Sequence, residues 1–416
     1  AAAGDSNAEY MSTLGERVAS FPSTWPFKRG PTAAAMAAAG FYYAPSAEFF
    51  DSCRSFCCTM ELSEWTEEDD PLVIHAKIAP DCLYAVNRLV SSRAPTSGTQ
   101  SATALLDLAL LDLKQEEEVV AASLKVAAET VGFFYVENHG LDQEISDVFT
   151  ASKAFFDLDV SEKQKLLQNE NNRGWTPFEE ETLDPAHQTR GDTKEGFYIG
   201  REVQEGNPEF GKPLRGPNQW PSEELLPGWR KTMERYHTAA TALGLRLLRI
   251  LARSLDLPAD HFLAPGQFDR PMTMLRLLHY SAIASAPKEG VFACGAHSDY
   301  GMLTLLATDA TPGLEVFRDG TWHAVAHRPG AFIVNIGDML ERWTNGRYKS
   351  TLHRVVTSGD KERYSIPFFF EPNFDCVVEC LPCCCGVDNP PKFPPTTSGL
   401  HLLEKYKQTH SGFEPT

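Results

Sequence analysis

The sequence predicts two domains, the second of them a β-sandwich or jelly roll. Two observations carry this. At 416 residues the chain exceeds one average domain. Between Cys294 and Asn373 it breaks into short runs of alternating character, CGAHSDYGMLTLLATD, GLEVFRDGTWHAVA, GAFIVNIGDML and KERYSIPFFFEPN. Asp319-Gly320 stands between two of these runs, and Asn345-Gly346 is expected to follow another strand. Short strands separated by such turns are the pattern of a sandwich or jelly roll.

The remaining elements follow in chain order. Residues 32–39 are alanine-rich and predict a helix that Gly40 stops. Residues 91–101, SSRAPTSGTQS, read as a flexible linker. From Leu105, LLDLALLDL reads as a strand, followed by a helix over 116–130 with Val119, Val120, Leu124 and Ala127 on one face. GFFYVENHG is a buried strand ending in a turn, where His139 is expected to be a hydrogen-bonding core group. Residues 144–167 predict helix, with Phe149, Phe155, Phe156, Leu166 and Leu167 as core candidates. RGWTPFEEETLDP (173–185) and GDTKEGFYIGRE (191–202) read as polar, glycine-punctuated loops, where substrate contacts are expected. Residues 229–255 predict a long amphipathic helix supporting the sheet.

Composition narrows the function classes. A net charge of -18, from 38 basic and 56 acidic residues, argues against nucleic-acid or anionic-membrane binding. No apolar run approaches a membrane span. No P-loop, GxSxG or dinucleotide fingerprint appears. The ten cysteines show no secreted disulfide framework, so a reducing compartment, cytoplasmic or nuclear, is expected. The chain begins at Ala1 rather than Met, so its true N-terminus is expected to lie upstream, where any targeting segment would be out of view.

Within the strand-rich block, His297 and Asp299 are two residues apart, which on a strand puts both on one face. His353 sits on a later apolar strand. Two imidazoles and a carboxylate form the facial triad of non-haem Fe(II) oxygenases and leave positions open for cosubstrate and O2. Arg363 and Ser365 again share a face. A guanidinium fork and a hydroxyl suit the far carboxylate of a 2-oxo diacid.

These residues, with LRLLHY (275–280), NIGD (335–338), ERWTNGRYKST and RYSIPFFF, resemble the Fe(II)/2-oxoglutarate oxygenases of the isopenicillin N synthase-like family. The resemblance implies a double-stranded β-helix with flanking helices. It implies iron on His297, Asp299 and His353. It also implies 2-oxoglutarate on Arg363 and Ser365, with Tyr280 close by. Leu278 departs from the family, several plant members having Asn there. The reaction implied is oxidative decarboxylation of 2-oxoglutarate coupled to hydroxylation, desaturation or ring closure of a small molecule. A 2-oxoglutarate-independent Fe(II) oxidase of the same fold remains an alternative. The CxxCCC cluster at 380–385 lies in what resembles the family's metal-free C-terminal loop.

The first ninety residues have their own logic. Cys58, His75 and Cys82 supply the thiolates and imidazole of a tetrahedral zinc site, the staple that a thin core needs. With Arg17, Ser20-Phe21, Trp25-Pro26, Ala39-Gly40-Phe41, Asp51, Phe56, Leu62, Trp65 and Asp69-Asp70-Pro71 they resemble the BIR domain of inhibitor-of-apoptosis proteins, a small α+β zinc domain. Phe21 and Trp25 are one residue further apart than in the family. Ser55 occupies the position of the first zinc cysteine, and Cys53, which shares its face, is the expected replacement. The resemblance implies a groove at Trp65 and Asp69 that captures a peptide or protein N-terminus. It leaves open an adaptor whose oxygenase half is idle. The expected division is a BIR-like domain over 10–92, a linker over 93–103 and an oxygenase over 104–412. The last has an N-terminal region over 104–200 and a jelly-roll core over 270–375.

Overall fold

A computed structural model describes residues 14–27, 31–39, 41–46, 49–55, 60–79 and 103–409. Chain contacts divide it into Ala1–Ser101 and Ala102–Thr416.

In the first unit, helices α1 (Leu14–Ser20) and α2 (Ala33–Ala38) precede an antiparallel sheet of β1 (Phe41–Tyr43), β2 (Cys53–Ser55) and β3 (Glu61–Leu62). Helix α3 (Pro71–Ile78) follows. The α2 start is fixed by Thr32, whose side chain accepts from the Ala35 N–H. Asp70 caps α3 by accepting from the Leu72 and Val73 N–H groups, with Pro71 as first helical residue. Phe21, Trp25, Met36, Phe41, Cys53 and Trp65 pack as the core.

The second unit opens with β4 (Leu110–Asp112), α4 (Glu117–Thr130) and β5 (Phe133–Glu137). Next come α5 (Asp142–Phe156), α6 (Val160–Gln164), β6 (Gly174–Thr176), β7 (Lys194–Gly200) and the long helix α7 (Trp229–Ser254). The block after α7 holds β8 (Met272–Tyr280), β9 (Cys294–His297), β10 (Leu303–Thr308), β11 (Leu314–Arg318), β12 (Thr321–Ala324) and β13 (Ala331–Ile336). Helix α8 (Asp338–Trp343), β14 (His353–Val355), β15 (Arg363–Glu371) and α9 (Ser398–Thr409) complete the chain. The strands form an eight-stranded sheet, β4-β5-β13-β10-β15-β8-β7-β6, and a four-stranded sheet, β12-β11-β14-β9. This pair of sheets is the jelly roll the strand pattern predicts. Helix α7 buries one face against β15, and Gly244 makes that approach possible: a Cβ there would stand 2.7 Å from the Phe370 ring. No described helix is long and apolar enough to cross a membrane.

Turn chemistry behaves as expected at Asp319-Gly320. Both residues take positive φ, 50° and 79°, and close the two-residue hairpin between β11 and β12. Asn345-Gly346 also takes positive φ but follows helix α8, not a strand. The predicted loops at 173–185 and 191–202 contain β6 and β7. Strand β7, KEGFYIG, is buried along its whole length, so no polar face alternates with an apolar one. Its charges, Lys194 and Glu195, are inside because they are paired there. Val119 is exposed, and α4 buries Val120, Ala121, Leu124, Ala127 and Ala128 instead. The helix over 144–167 breaks after Phe156, and Leu167 is exposed. Of LLDLALLDL only Leu110–Asp112 joins the sheet, parallel to β5.

Candidate active site

Strands β9 and β14 pair antiparallel with His297 directly opposite His353, their rings 4.2 Å apart. Asp299 lies two residues past His297, beyond the end of β9, so the strand aims only the histidine. Asp299 Oδ1 is 3.8 Å from Nε2 of each imidazole. One ligand atom from each of the three lies within 4.8 Å of the others, the one such group of three among the described residues.

Neighbouring groups set each donor. His297 Nδ1–H donates to the Gly295 carbonyl at 2.8 Å and His353 Nδ1–H to that of Thr351 at 3.0 Å. This tautomer leaves both Nε2 lone pairs free. Asp299 Oδ2 accepts from Asn335 Nδ2 at 2.6 Å and Thr304 Oγ1 at 2.5 Å, leaving Oδ1 for the histidines. Burial alone would raise the Asp299 pKa, but His353, His297, Asn335 and Thr304 together hold it below the usual carboxylate range. Burial, with the neighbouring His297, pushes His353 down to about 4. An ionised carboxylate and a neutral imidazole are the states that bind a metal. The donor set fits ferrous iron held on one side.

Two cavities meet at this triad. One is lined by His297, Asp299, His353, Tyr280, Arg363 and Ser365. The ladder between β15 and β8 sets Arg363 opposite Tyr280 and Ser365 opposite Leu278. The Arg363 guanidinium lies 4.9 Å from the Tyr280 ring centre, and Ser365 Oγ–H donates to Tyr280 Oη at 3.4 Å. Arg363 is 2% exposed, and its Nε and Nη1 have no hydrogen-bond partner among the described residues. A buried guanidinium with donors to spare fits the far carboxylate of 2-oxoglutarate. Leu278 is buried beside Tyr280.

The other cavity is lined by His297 and Asp299 together with Glu181, Tyr198, Arg276, Glu371, Phe369 and Leu402, among others. Glu181 takes an ion pair from Arg276 at 2.5 Å and from Lys194 at 2.9 Å, and accepts from Tyr198 Oη. Lys194 also pairs with Asp192. Glu371 accepts from the Met302 N–H at 2.6 Å, and burial, aided by the charge of Asp299, pushes its carboxyl up to about 8. In the sequence Asn335 and Arg276 stood out only as parts of motifs and Glu181 only as part of a loop expected to contact substrate, while Thr304 and Glu371 were not singled out. The available signal was charge within an otherwise apolar strand, as in LRLLHY and KEGFYIG.

Elsewhere, His139 is buried and its Nδ1 accepts from the Leu141 N–H at 3.0 Å. The cysteines at 376, 380 and 383–385 are free thiols. In the first unit His75 is buried, its Nδ1 2.6 Å from the Ala39 carbonyl and its Nε2 3.5 Å from Ser55 Oγ. Cys58 and Cys82 lie outside the described residues. Cys53 is fully buried in the apolar cluster with its thiol 3.5 Å from the Asp51 carbonyl. Burial, and then the Asp51 charge, push that thiol's pKa up. Trp65 packs edge-on against Phe41 and is 7% exposed, while Asp69 accepts from the Thr66 N–H and hydroxyl.

The paired sheets and this triad define a non-haem iron oxygenase, and comparison with known proteins specifies which. The 2OG-Fe(II) oxygenase superfamily model matches residues 272–372, and that of the N-terminal region of "non-haem dioxygenase in morphine synthesis" matches 104–223. The chain belongs to the 2-oxoglutarate-dependent Fe(II) oxygenases, whose cofactors are Fe(II) and 2-oxoglutarate. It is 41% identical over 297 residues to azadirone synthase of Melia azedarach, covering 69% of this chain and 88% of that protein. A 2-oxoglutarate-Fe(II) type oxidoreductase of Emericella nidulans is 36% identical, with 70% and 85% covered. Among solved structures, a full-length Neurospora crassa protein in complex with alpha-KG superposes with a TM-score of 0.65 at 29% identity, covering 75% of this chain and 98% of that one. The Inhibitor of Apoptosis (BIR) domain model matches residues 17–86.

Proposed function

We propose that His297, Asp299 and His353 hold the iron, that Arg363, Ser365 and Tyr280 receive the distal carboxylate of 2-oxoglutarate, and that the second cavity receives the small molecule to be oxidised. The observation that carries this reading is Arg363, a buried cation with unused donors lining the same cavity as the triad. The relatives do not favour a 2-oxoglutarate-independent oxidase or an idle domain. Bound iron supplies the activation of O2 that couples cosubstrate decarboxylation to substrate oxidation. The chain supplies orientation. Gly295 and Thr351 keep the two Nδ1 protons in place, and Asn335 and Thr304 fix the rotation of the Asp299 carboxylate. The Arg363 fork sets the angle at which the cosubstrate enters, and the walls of both cavities keep bulk water away.

The oxygenase is proposed to span 104–412 and the BIR-like module 10–92, joined by a linker over 93–103. Zinc on Cys58, His75 and Cys82 and a peptide N-terminus as partner are proposed for the module. A reducing cytoplasmic or nuclear setting accords with the free thiols. The test of the enzyme reading is succinate formation from 2-oxoglutarate by purified protein with added Fe(II). The wild type is expected to form succinate and the His297→Ala variant none; equal turnover by the two overturns the assignment.

A further inference from the structure

The chain as a whole is strongly acidic, at -18, yet the cavity beside His297 and Asp299 is rich in guanidinium. Arg173, Arg201 and Arg215 all line it. They stand together: Arg173 Nη2 donates to the Leu214 carbonyl at 3.1 Å, and Arg201 and Arg215 share the carboxylate of Glu209. Exposed Arg270 draws on Glu209 as well, at 3.5 Å. Arg173 makes no ion pair among the described residues. It is 2% exposed, its Nη1 donates to the Asn171 and Asn172 carbonyls at 2.7 and 3.2 Å, and its Nε has no partner among those residues. Gly200 leaves the room it occupies, since a Cβ there would stand 2.2 Å from Nη2. Burial pushes the guanidinium down to about 10, outweighing the through-space pull of Tyr406 and Glu202.

The other charges nearby give Arg173 no ion-pair partner among the described residues. Arg276 and Lys194 are balanced by Glu181 and Asp192. Glu202 acts on Arg173, and Asp375 on Arg215, only through space, the Glu202 oxygens accepting instead from Asn218 and Gln204. Glu371, on the cavity wall, accepts from the Met302 N–H and forms no ion pair with these guanidinium groups among the described residues. Leu183, Val203, Met272, Met274 and Phe369 form an apolar stretch of the remaining wall, beside the hydroxyl-bearing Thr273, Ser298, Tyr300 and Tyr406.

We infer that the molecule oxidised here is a carboxylic acid with an apolar body, its carboxylate received by Arg173, Arg201 and Arg215 and its body lying along the apolar wall toward the triad. This rests on the reading of that cavity as the substrate chamber. A bidentate guanidinium contact distinguishes an acid from its amide, because the amide neither neutralises the cation nor accepts at both positions.

The test uses the full chain with Fe(II) and saturating 2-oxoglutarate. The probes are phenylacetate, 3-phenylpropionate and 4-phenylbutyrate with their carboxamides. The readouts are the shift of the Fe(II)–2-oxoglutarate absorption band without oxygen and the stimulation of O2 uptake. At least one acid is expected to half-saturate at a concentration about tenfold below that of its amide. Arg173 is buried deeply enough that replacing it endangers the fold, so Arg201→Gln and Arg215→Gln are the working variants; both are expected to erase the preference. Arg318→Gln, on the exposed β11–β12 hairpin, is expected to keep it. Equal response to acids and amides, no response to any acid, or an unchanged preference in both variants overturns the inference. If no absorption band and no succinate form, the oxygenase reading itself fails. Calorimetric titration of the same acids into wild-type and Arg201→Gln protein then decides the carboxylate site alone.

Discussion

In the catalytic unit two histidines face each other across one strand pair, and a carboxylate is turned toward both by Asn335 and Thr304. In the N-terminal unit His75 comes from a helix and faces a serine hydroxyl, with Cys58 and Cys82 outside the described residues. Both histidine sets use the same device, a backbone carbonyl that fixes the Nδ1 tautomer. What differs is the source of the remaining donors. A β-ladder fixes its ligands through hydrogen bonds that hold the sheet in any case, so its geometry does not depend on metal. A zinc staple in a small domain draws its geometry from the metal, and loss of one thiolate therefore bears directly on the fold.

The contrast can be broken most severely at the triad. Asp299→Ala or His353→Ala is expected to abolish iron-dependent succinate formation while circular dichroism stays that of a folded protein, because the ladder survives; unfolding of either variant would contradict the claim that geometry there is independent of metal. Arg363→Leu is next. Two charge-assisted hydrogen bonds, at about 1.5–3 kcal/mol each, are lost, so KM for 2-oxoglutarate is expected to rise by about 100-fold or more. Asn335→Ala leaves the ligands in place but frees the Asp299 carboxylate, and iron affinity measured by competition with a chelator is expected to fall by roughly 10–100-fold. The smallest effects belong to the N-terminal unit, read as zinc retained by the full chain carrying Asp299→Ala. Ser55→Cys, which puts a thiol before His75, is expected to slow zinc loss to a chelator. Cys53→Ala is expected to leave zinc content unchanged, since that side chain packs in the apolar cluster with Phe41 and Trp65; zinc loss would return Cys53 to the ligand set.

The triad was legible because His297 and Asp299 stand two residues apart and His353 falls in a later apolar run, and Asp319-Gly320 was legible because only one hairpin type suits positive φ at both turn positions. The parts that were not legible share one cause. Strands β6 and β7 lack alternation because they are buried on both faces, and their charged residues hide in pairs whose members lie far apart in sequence, such as Lys163 with Glu195. Asp299 shares the His297 side without being on the strand, an outcome that face-counting reaches for the wrong reason. The excess of guanidinium at Arg173, Arg201 and Arg215 was invisible for a related reason. No local pattern says that a distant carboxylate is missing.

Arg363 has a consequence for the lifetime of the protein. A cation sealed from water with unmade hydrogen bonds makes the empty form the costly one, and a diacid bound there would act as its counter-ion. Cosubstrate at 100 times its dissociation constant adds about 2.7 kcal/mol to the stability of the folded state by mass action. With 2-oxoglutarate bound at Arg363, its concentration would add to the stability of the fold as well as to the rate of turnover.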